Sequence, residues 1–176
     1  MFTLDTDTGF PRVVLINAAW GLGETVVQGT VTPDQYTVYK PFLDVEGLVP
    51  IIGRDLGDKE KKLVYADGGD EPTTLQETSD EERRSWVLDD DEVLTLARWG
   101  TIIEDHYGRP MDVEWAKDGD TGELFILQAR PETVQSQRRG TTVTDYRLQE
   151  DGEELVRGLA VGQAVAAGPV GVIPSA

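Results

Sequence analysis

The chain has no cysteine, a single histidine and, among its basic side chains, only five lysines (Lys40, Lys59, Lys61, Lys62 and Lys117) in 176 residues. Without cysteine there is no disulfide, no thiol nucleophile and no cysteine-ligated zinc or iron–sulfur site. With His106 alone, a multi-histidine metal cluster is excluded. No apolar run approaches the roughly 20 residues that a membrane-spanning helix needs, and the N-terminus lacks the basic-then-apolar pattern of a signal peptide. Positive charge is scarce overall, with 16 Lys and Arg against 33 Asp and Glu and a formal net charge of −17. A field this negative argues against nucleic acid and anionic membrane as partners.

What is present suits a folded, cytoplasmic, acidic chain. Hydrophobic residues make up 39% and four are Trp, so wholesale disorder is not expected despite the charge. The length fits one domain, or one with a fragment of a second. Strong self-repulsion destabilises a compact state, and salt screens it within about 10 Å at 0.1 M. A salt-rich cytoplasm explains such a surface, and so does an ordinary acidic protein.

Both ends read as cut from something longer. The chain opens on the extended-looking Met1-Phe2-Thr3-Leu4, followed by the turn cluster Asp5-Thr6-Asp7-Thr8-Gly9. It closes on Val170-Gly171-Val172-Ile173-Pro174-Ser175-Ala176, the alternation of a new unit that stops early. Between them we expect a buried strand over 13–17, a glycine turn over 18–23 and a short continuation over 25–29. Further strands are expected over 36–39, 48–52 and 61–66, the last followed by an acidic, glycine-rich loop over 67–72. The clearest helix spans 90–106, with Val93, Leu96, Ala97, Ile103 and Tyr107 on one face. Asp89 and Glu92 make a capping pair at its start; Gly108 and Pro110 end it. Strands over 111–116 and 124–128 follow, joined by a turn-rich segment. A polar boundary over 135–144 precedes a stretch over 155–173 rich in Gly, Ala and Val.

The last strand pair carries the most chemistry. Side chains alternate faces along a strand, so Asp112 and Glu114 share one side of the first strand, opposite Met111, Val113 and Trp115. In the second, Ile126, Gln128 and Arg130 share a side. A hairpin closing around 119–121 sets even positions against even ones and gathers Asp112, Glu114, Gln128 and Arg130 on one surface. Carboxylate and amide oxygens are hard ligands suited to Mg²⁺ with a nucleotide, and a guanidinium offers bidentate donors to phosphate. Taken alone, the same pattern is better read as a solvated polar face with an incidental salt bridge, because charged outer faces are ordinary.

The glycine turn Trp20-Gly21-Leu22-Gly23-Glu24-Thr25-Val26-Val27-Gln28-Gly29 follows a strand, where Gly21 and Gly23 would permit close approach of a phosphate or ribose. It is neither a P-loop, lacking Gly-Lys-Ser/Thr, nor a dinucleotide fingerprint, because Val26 replaces the third glycine. In isolation it reads as a plain turn. The segments at Asp5 and Asp118 resemble part of a calcium loop but lack the full ligand set, and read as turns. His106 reads as a helix-end residue.

Together, MFTLDTDTG at 1–9, INAAWGLGETVVQGTVTPDQYTVYKP at 16–41 and HYGRPMDVEWAKDGDTGELFILQARPETV at 106–134 resemble the phosphoenolpyruvate synthase (pyruvate, water dikinase) family. The resemblance is close over residues 1 to 135 and looser over LVRGLAVGQAVAAGPVGVI at 155–173. It implies an α+β fold: part of an ATP-grasp domain over 1–135 (its C-terminal subdomain, a mixed or antiparallel sheet with flanking helices), a linker over 136–150, and over 151–176 the start of a swivelling phosphohistidine domain. It also implies ATP as substrate with Mg²⁺, transfer of the β-phosphate through a phosphohistidine to pyruvate, and phosphoenolpyruvate, AMP and phosphate as products. Position by position, Glu114 and Gln128 match the Mg²⁺-ATP ligands and Arg130 the catalytic phosphate-binding arginine. Asp112 matches an acidic residue beside them, and Glu24, with Gly21 and Gly23, a turn near the nucleotide. The resemblance thus falls on the four side chains that the hairpin gathers, and reverses the weighting between their two readings.

The family's domain begins upstream of these residues, its catalytic histidine lies after them, and its pyruvate-binding barrel is separate. This chain is therefore expected to be inactive alone, with the rest of its own polypeptide as partner. Two alternatives stand beside this reading: a related enzyme with another acceptor, of the pyruvate phosphate dikinase or rifampicin phosphotransferase type, or a non-catalytic acidic module binding cations or a protein.

Overall fold

The computed structural model describes residues 1–66, 72–133 and 168. The expected boundary over 135–144, the linker and the 151–176 unit therefore lie outside the described residues, Gly168 excepted. In chain order the elements are Val13–Ala18 (β1), Glu24–Val27 (α1), Asp34–Tyr39 (β2), a 3₁₀ turn at Lys40–Phe42, Ile51–Asp55 (β3) and Lys61–Tyr65 (β4). Thr73–Glu77 (β5), Asp80–Arg84 (α2), Asp90–Tyr107 (α3), Met111–Lys117 (β6) and Leu124–Pro131 (β7) complete them. Every named strand pair is antiparallel, so the architecture is mixed α and β with small antiparallel sheets.

The apolar run VVLINA makes β1 buried along nearly its whole length, and a strand of that composition needs cover on both faces. β2 pairs with it, Val13 opposite Tyr39 and Ala18 opposite Asp34, and β3 pairs with the far edge of β2. On the other side of β1, Phe2 pairs with Leu15 and also with Asp112 of β6. Thr3 N–H donates to Met111 O at 3.0 Å and Val113 N–H to Met1 O at 2.8 Å. Residues 1–3 thus join the β1–β2–β3 sheet to the β6–β7 hairpin.

Helix α3 covers this assembly. Asp89 and Glu92 form a reciprocal capping box, and Gly108 ends the helix at φ 64°, a left-handed conformation that glycine adopts without a Cβ penalty. Its Val93, Leu96 and Ala97 pack with Val14, Ile16, Tyr36, Val38, Met111 and Val113 in one core. Ile103 lies partly buried against that core, but Tyr107, expected on the same face, is the last residue of the helix and is 53% exposed.

β4 and β5 form a separate hairpin, Leu63 opposite Leu75. It meets the glycine turn through a parallel bridge between Gly21 and Leu63. The indole of Trp20 donates to Glu82 O at 2.9 Å, and Lys62 pairs with Glu82, tying α2 to the same place.

Three local expectations are corrected. The extended continuation over 25–29 is instead the single helical turn α1, which leaves Val27 79% exposed. The strand expected over 48–52 begins at Ile51, because Leu48 N–H is used in a turn to Val45 O and Gly47 takes φ 79°. β5 and α2 were not expected; α2 does carry a readable signal, since Ser79 and Glu82 form a second capping box.

Candidate functional site

The β6–β7 hairpin is closed by its own turn. The Asp118 carboxylate accepts from the backbone N–H of Thr121 at 2.7 Å and of Asp120 at 2.9 Å, and from Thr121 Oγ1 at 3.0 Å. These bonds, Thr121's backbone first, hold its carboxyl below the usual range. Gly122 then takes φ 73°. The turn sets Asp112 opposite Arg130, Val113 opposite Ala129 and Glu114 opposite Gln128. Since directly opposed residues point to the same side, the four expected side chains do share one face.

The next step breaks the expected alternation. The register shifts between Glu114 and Trp115, so that Trp115 opposes Ile126 and Lys117 opposes Leu124. Ile126, expected beside Gln128 and Arg130, therefore stands on the face of Trp115. The shift lets Trp115, Leu124 and Ala129 all pack against the core while Glu114 and Gln128 stay outside.

Within the group of four, Asp112 and Arg130 are bonded. Arg130 donates from Nε at 2.8 Å and places Nη2 at 2.7 Å, both on Asp112 Oδ2. That contact, with a smaller contribution from Glu114, holds the guanidinium even more firmly protonated than usual. Glu114 and Gln128 are exposed. Their side chains make no hydrogen bond or ion pair among the described residues, which leaves a carboxylate and an amide oxygen side by side for a ligand.

The glycine turn is shaped in part by its own chain. Gly21 has φ +76°, and a Cβ there would lie 2.4 Å from Leu63 O. The space opened by its missing side chain is filled by β4 of the same chain. Leu22 N–H also donates to Leu63 O, at 2.8 Å. Gly23 is different: it has φ −66° and nothing within 4 Å of an added Cβ. Glu24 opens α1 and accepts from Gln28 Nε2 at 2.8 Å. Among the described residues no hydrogen bond or ion pair joins this turn to the four side chains of the hairpin.

The weaker candidates fall into place as structure. In the first turn, Asp5 accepts from Asp7 N–H at 3.0 Å and from Thr8 Oγ1 at 2.6 Å, as the Asp118 carboxylate does in the hairpin turn. No cluster of three or more His, Asp or Glu with metal-binding geometry occurs among the described residues. His106 stacks edge-on against Tyr107 in the last turn of α3, centroids 4.9 Å apart. A cleft of about 470 Å³ between the start of α3 and the hairpin turn, lined by Asp89, Glu92, Trp99 and Phe125 among others, contains none of the expected site residues. No helix among the described residues is long and apolar enough to cross a membrane.

Comparison with known proteins adds to this geometry. The chain is 51% identical over 179 residues to the phosphoenolpyruvate synthase of Synechocystis sp., with 98% of the chain and 22% of that protein aligned. It is 51% identical over 175 residues to the Pseudomonas aeruginosa protein of the same name, and 47% over 175 residues to that of Escherichia coli, each match covering 98% of the chain and 22% of the relative. The chain therefore spans about a fifth of the length of these relatives. The family described as pyruvate phosphate dikinase, AMP/ATP-binding domain, matches residues 1–151. That match takes in the glycine turn, both sheets and the whole β6–β7 hairpin, and the chain belongs to this AMP/ATP-binding domain family.

Proposed function

We propose that the chain is the ATP-binding part of a phosphoenolpyruvate synthase, in which pyruvate, ATP and water give phosphoenolpyruvate, AMP and phosphate through a phosphohistidine carried elsewhere on the protein. The single observation that supports it most is the paired register Asp112–Arg130 and Glu114–Gln128, on an exposed face within a chain of the AMP/ATP-binding domain family. The acceptor, pyruvate, comes from the relatives' name; a dikinase or phosphotransferase with another acceptor would share this site. On this reading the hairpin is part of an ATP-grasp C-terminal subdomain, and residues 151–176 begin the swivelling phosphohistidine domain.

The donor set suits Mg²⁺. Glu114 carboxylate and Gln128 amide oxygens are hard and adjacent, with no side-chain hydrogen bond or ion pair among the described residues, and this ion typically takes one or two protein oxygens and completes its shell with water and phosphate. Bound there with ATP, it would neutralise charge on the phosphate oxygens. Glu114 and Gln128 would hold it. Arg130 aims its guanidinium at the phosphoryl group, where negative charge spreads as the group transfers. Gly23 and Glu24 border the nucleotide from the turn, while Gly21 shapes the turn by admitting β4. Nothing among these residues supplies the nucleophile.

The alternative of a non-catalytic acidic cation-binding module has weaker support, because the Asp5 and Asp118 carboxylates are already engaged by donors of their own turns. The test uses the full-length protein. Glu114→Ala and Gln128→Ala should each abolish phosphorylation by Mg-ATP while leaving the thermal transition nearly unchanged, since both side chains are exposed. Wild-type phosphorylation in either variant would remove the assignment.

A further inference from the structure

We infer that Asp112 acts as a positioning residue for Arg130 and binds neither metal nor nucleotide. This rests on the reading that Arg130 faces a transferring phosphoryl group. Three features carry the inference. First, the contact is side-on: Nε and Nη2 both reach Oδ2 of Asp112, which leaves Nη1 and the outer end of the fork for a second anion. Second, exposure is unequal, with the Asp112 side chain at 17% and Arg130 at 60%. The carboxylate sits low in the sheet and the guanidinium reaches out from it.

Third, Asp112 is the better anchored of the two. Its strand is flanked by Phe2 on one side and Arg130 on the other. Its neighbours Met111 and Val113 are fully buried. Arg130 lies one residue from the end of β7, and its side chain makes no other hydrogen bond or ion pair among the described residues. An arginine so exposed loses rotamer freedom when it binds phosphate, and a fixed carboxylate meets that cost in advance. Glu114 and Gln128, whose side chains make no hydrogen bond or ion pair among the described residues, remain the metal-directed pair.

The test measures phosphorylation of the full-length protein by Mg-ATP in Asp112→Asn, Asp112→Ala, Arg130→Ala and the Asp112→Ala/Arg130→Ala double variant, with Mg²⁺ titrated in each. Arg130→Ala should slow the reaction about a hundredfold. Each Asp112 variant should slow it roughly tenfold, the effect of ordering one side chain, with the half-saturating Mg²⁺ unchanged. The double variant should be no slower than Arg130→Ala, and somewhat faster if the bare carboxylate repels phosphate. A several-fold rise in half-saturating Mg²⁺ for Asp112→Asn, or a further large loss in the double variant, would overturn the positioning role and leave the nucleotide site standing. A wild-type rate in Arg130→Ala would overturn both. Asp112→Asn nearly preserves shape, so it decides the matter even if Asp112→Ala fails to fold.

Discussion

Lys59 and Asp34 form an ion pair in which neither side chain has exposed surface. Asp34 also accepts from Gly57 N–H at 2.9 Å through Oδ1 and from Val87 N–H at 2.9 Å through Oδ2, while Lys59 Nζ donates to Gly57 O at 3.0 Å. Lys59 is the one non-glycine residue with positive φ among the described residues, at 43°. The pair therefore fastens the start of the β4–β5 hairpin and the segment before α3 to the start of β2. Its energetic weight lies less in mutual attraction than in what stays behind when one member is lost.

Asp34→Ala should cost about 3–5 kcal/mol locally, because it strands a buried ammonium and two backbone donors. Lys59→Met should cost less, since the Asp34 carboxylate keeps Gly57 and Val87 as donors. Hydrogen exchange over segments 56–58 and 86–88 reads this directly. Equal protection in wild type and Asp34→Ala would refute the fastening role.

The two glycines of the turn should behave oppositely. Gly21→Ala meets Leu63 O at 2.4 Å in a left-handed backbone conformation, so a loss above about 2 kcal/mol is expected, with faster proteolysis within β4–β5. Gly23→Ala has open space and ordinary φ, and should shift stability by less than about 0.5 kcal/mol. Thermal unfolding and limited proteolysis of the two variants separate a turn shaped by its own chain from one shaped only by a ligand.

Acid should loosen the contact between α2 and β4. Glu82 is held below its ordinary value of 4.5, first by Lys62 and then by the Ser79 backbone. A carboxyl depressed on folding adds stability that is fully present above its unfolded value and disappears as pH falls through the folded one. Glu82→Gln should therefore lower the melting temperature slightly at pH 7, by no more than a surface pair allows. The gap to wild type should close as the pH is taken below the ordinary value. A gap that stays constant from pH 7 to pH 3 would contradict this.

How much was legible depended on the range of the interaction. α3 could be read almost to the residue, because Asp89, Glu92 and Gly108 act within a turn of the helix ends they cap. The facing of Asp112, Glu114, Gln128 and Arg130 could be read because a short turn leaves few registers and the side-chain period is two. The register shift at Trp115 could not, since it serves packing of that indole against a core built by distant segments. α2 has its capping signal at 79–82 but only five helical residues and no apolar stripe, so periodicity had nothing to detect.

By itself the sequence determined the absence of thiol and multi-histidine chemistry, the acidic charge, the boundaries of α3 and the four polar residues on one side of the hairpin. All follow from composition or from neighbours within a few residues. Only the tertiary structure decided that the opening in the glycine turn at Gly21 receives Leu63 O, that Lys59 and Asp34 are buried together, and that Asp112 already holds Arg130 while Glu114 and Gln128 make no side-chain hydrogen bond among the described residues. Those relationships join residues 18 to 42 positions apart in the chain, where no local preference acts. Burial and backbone hydrogen bonding across separate elements choose them.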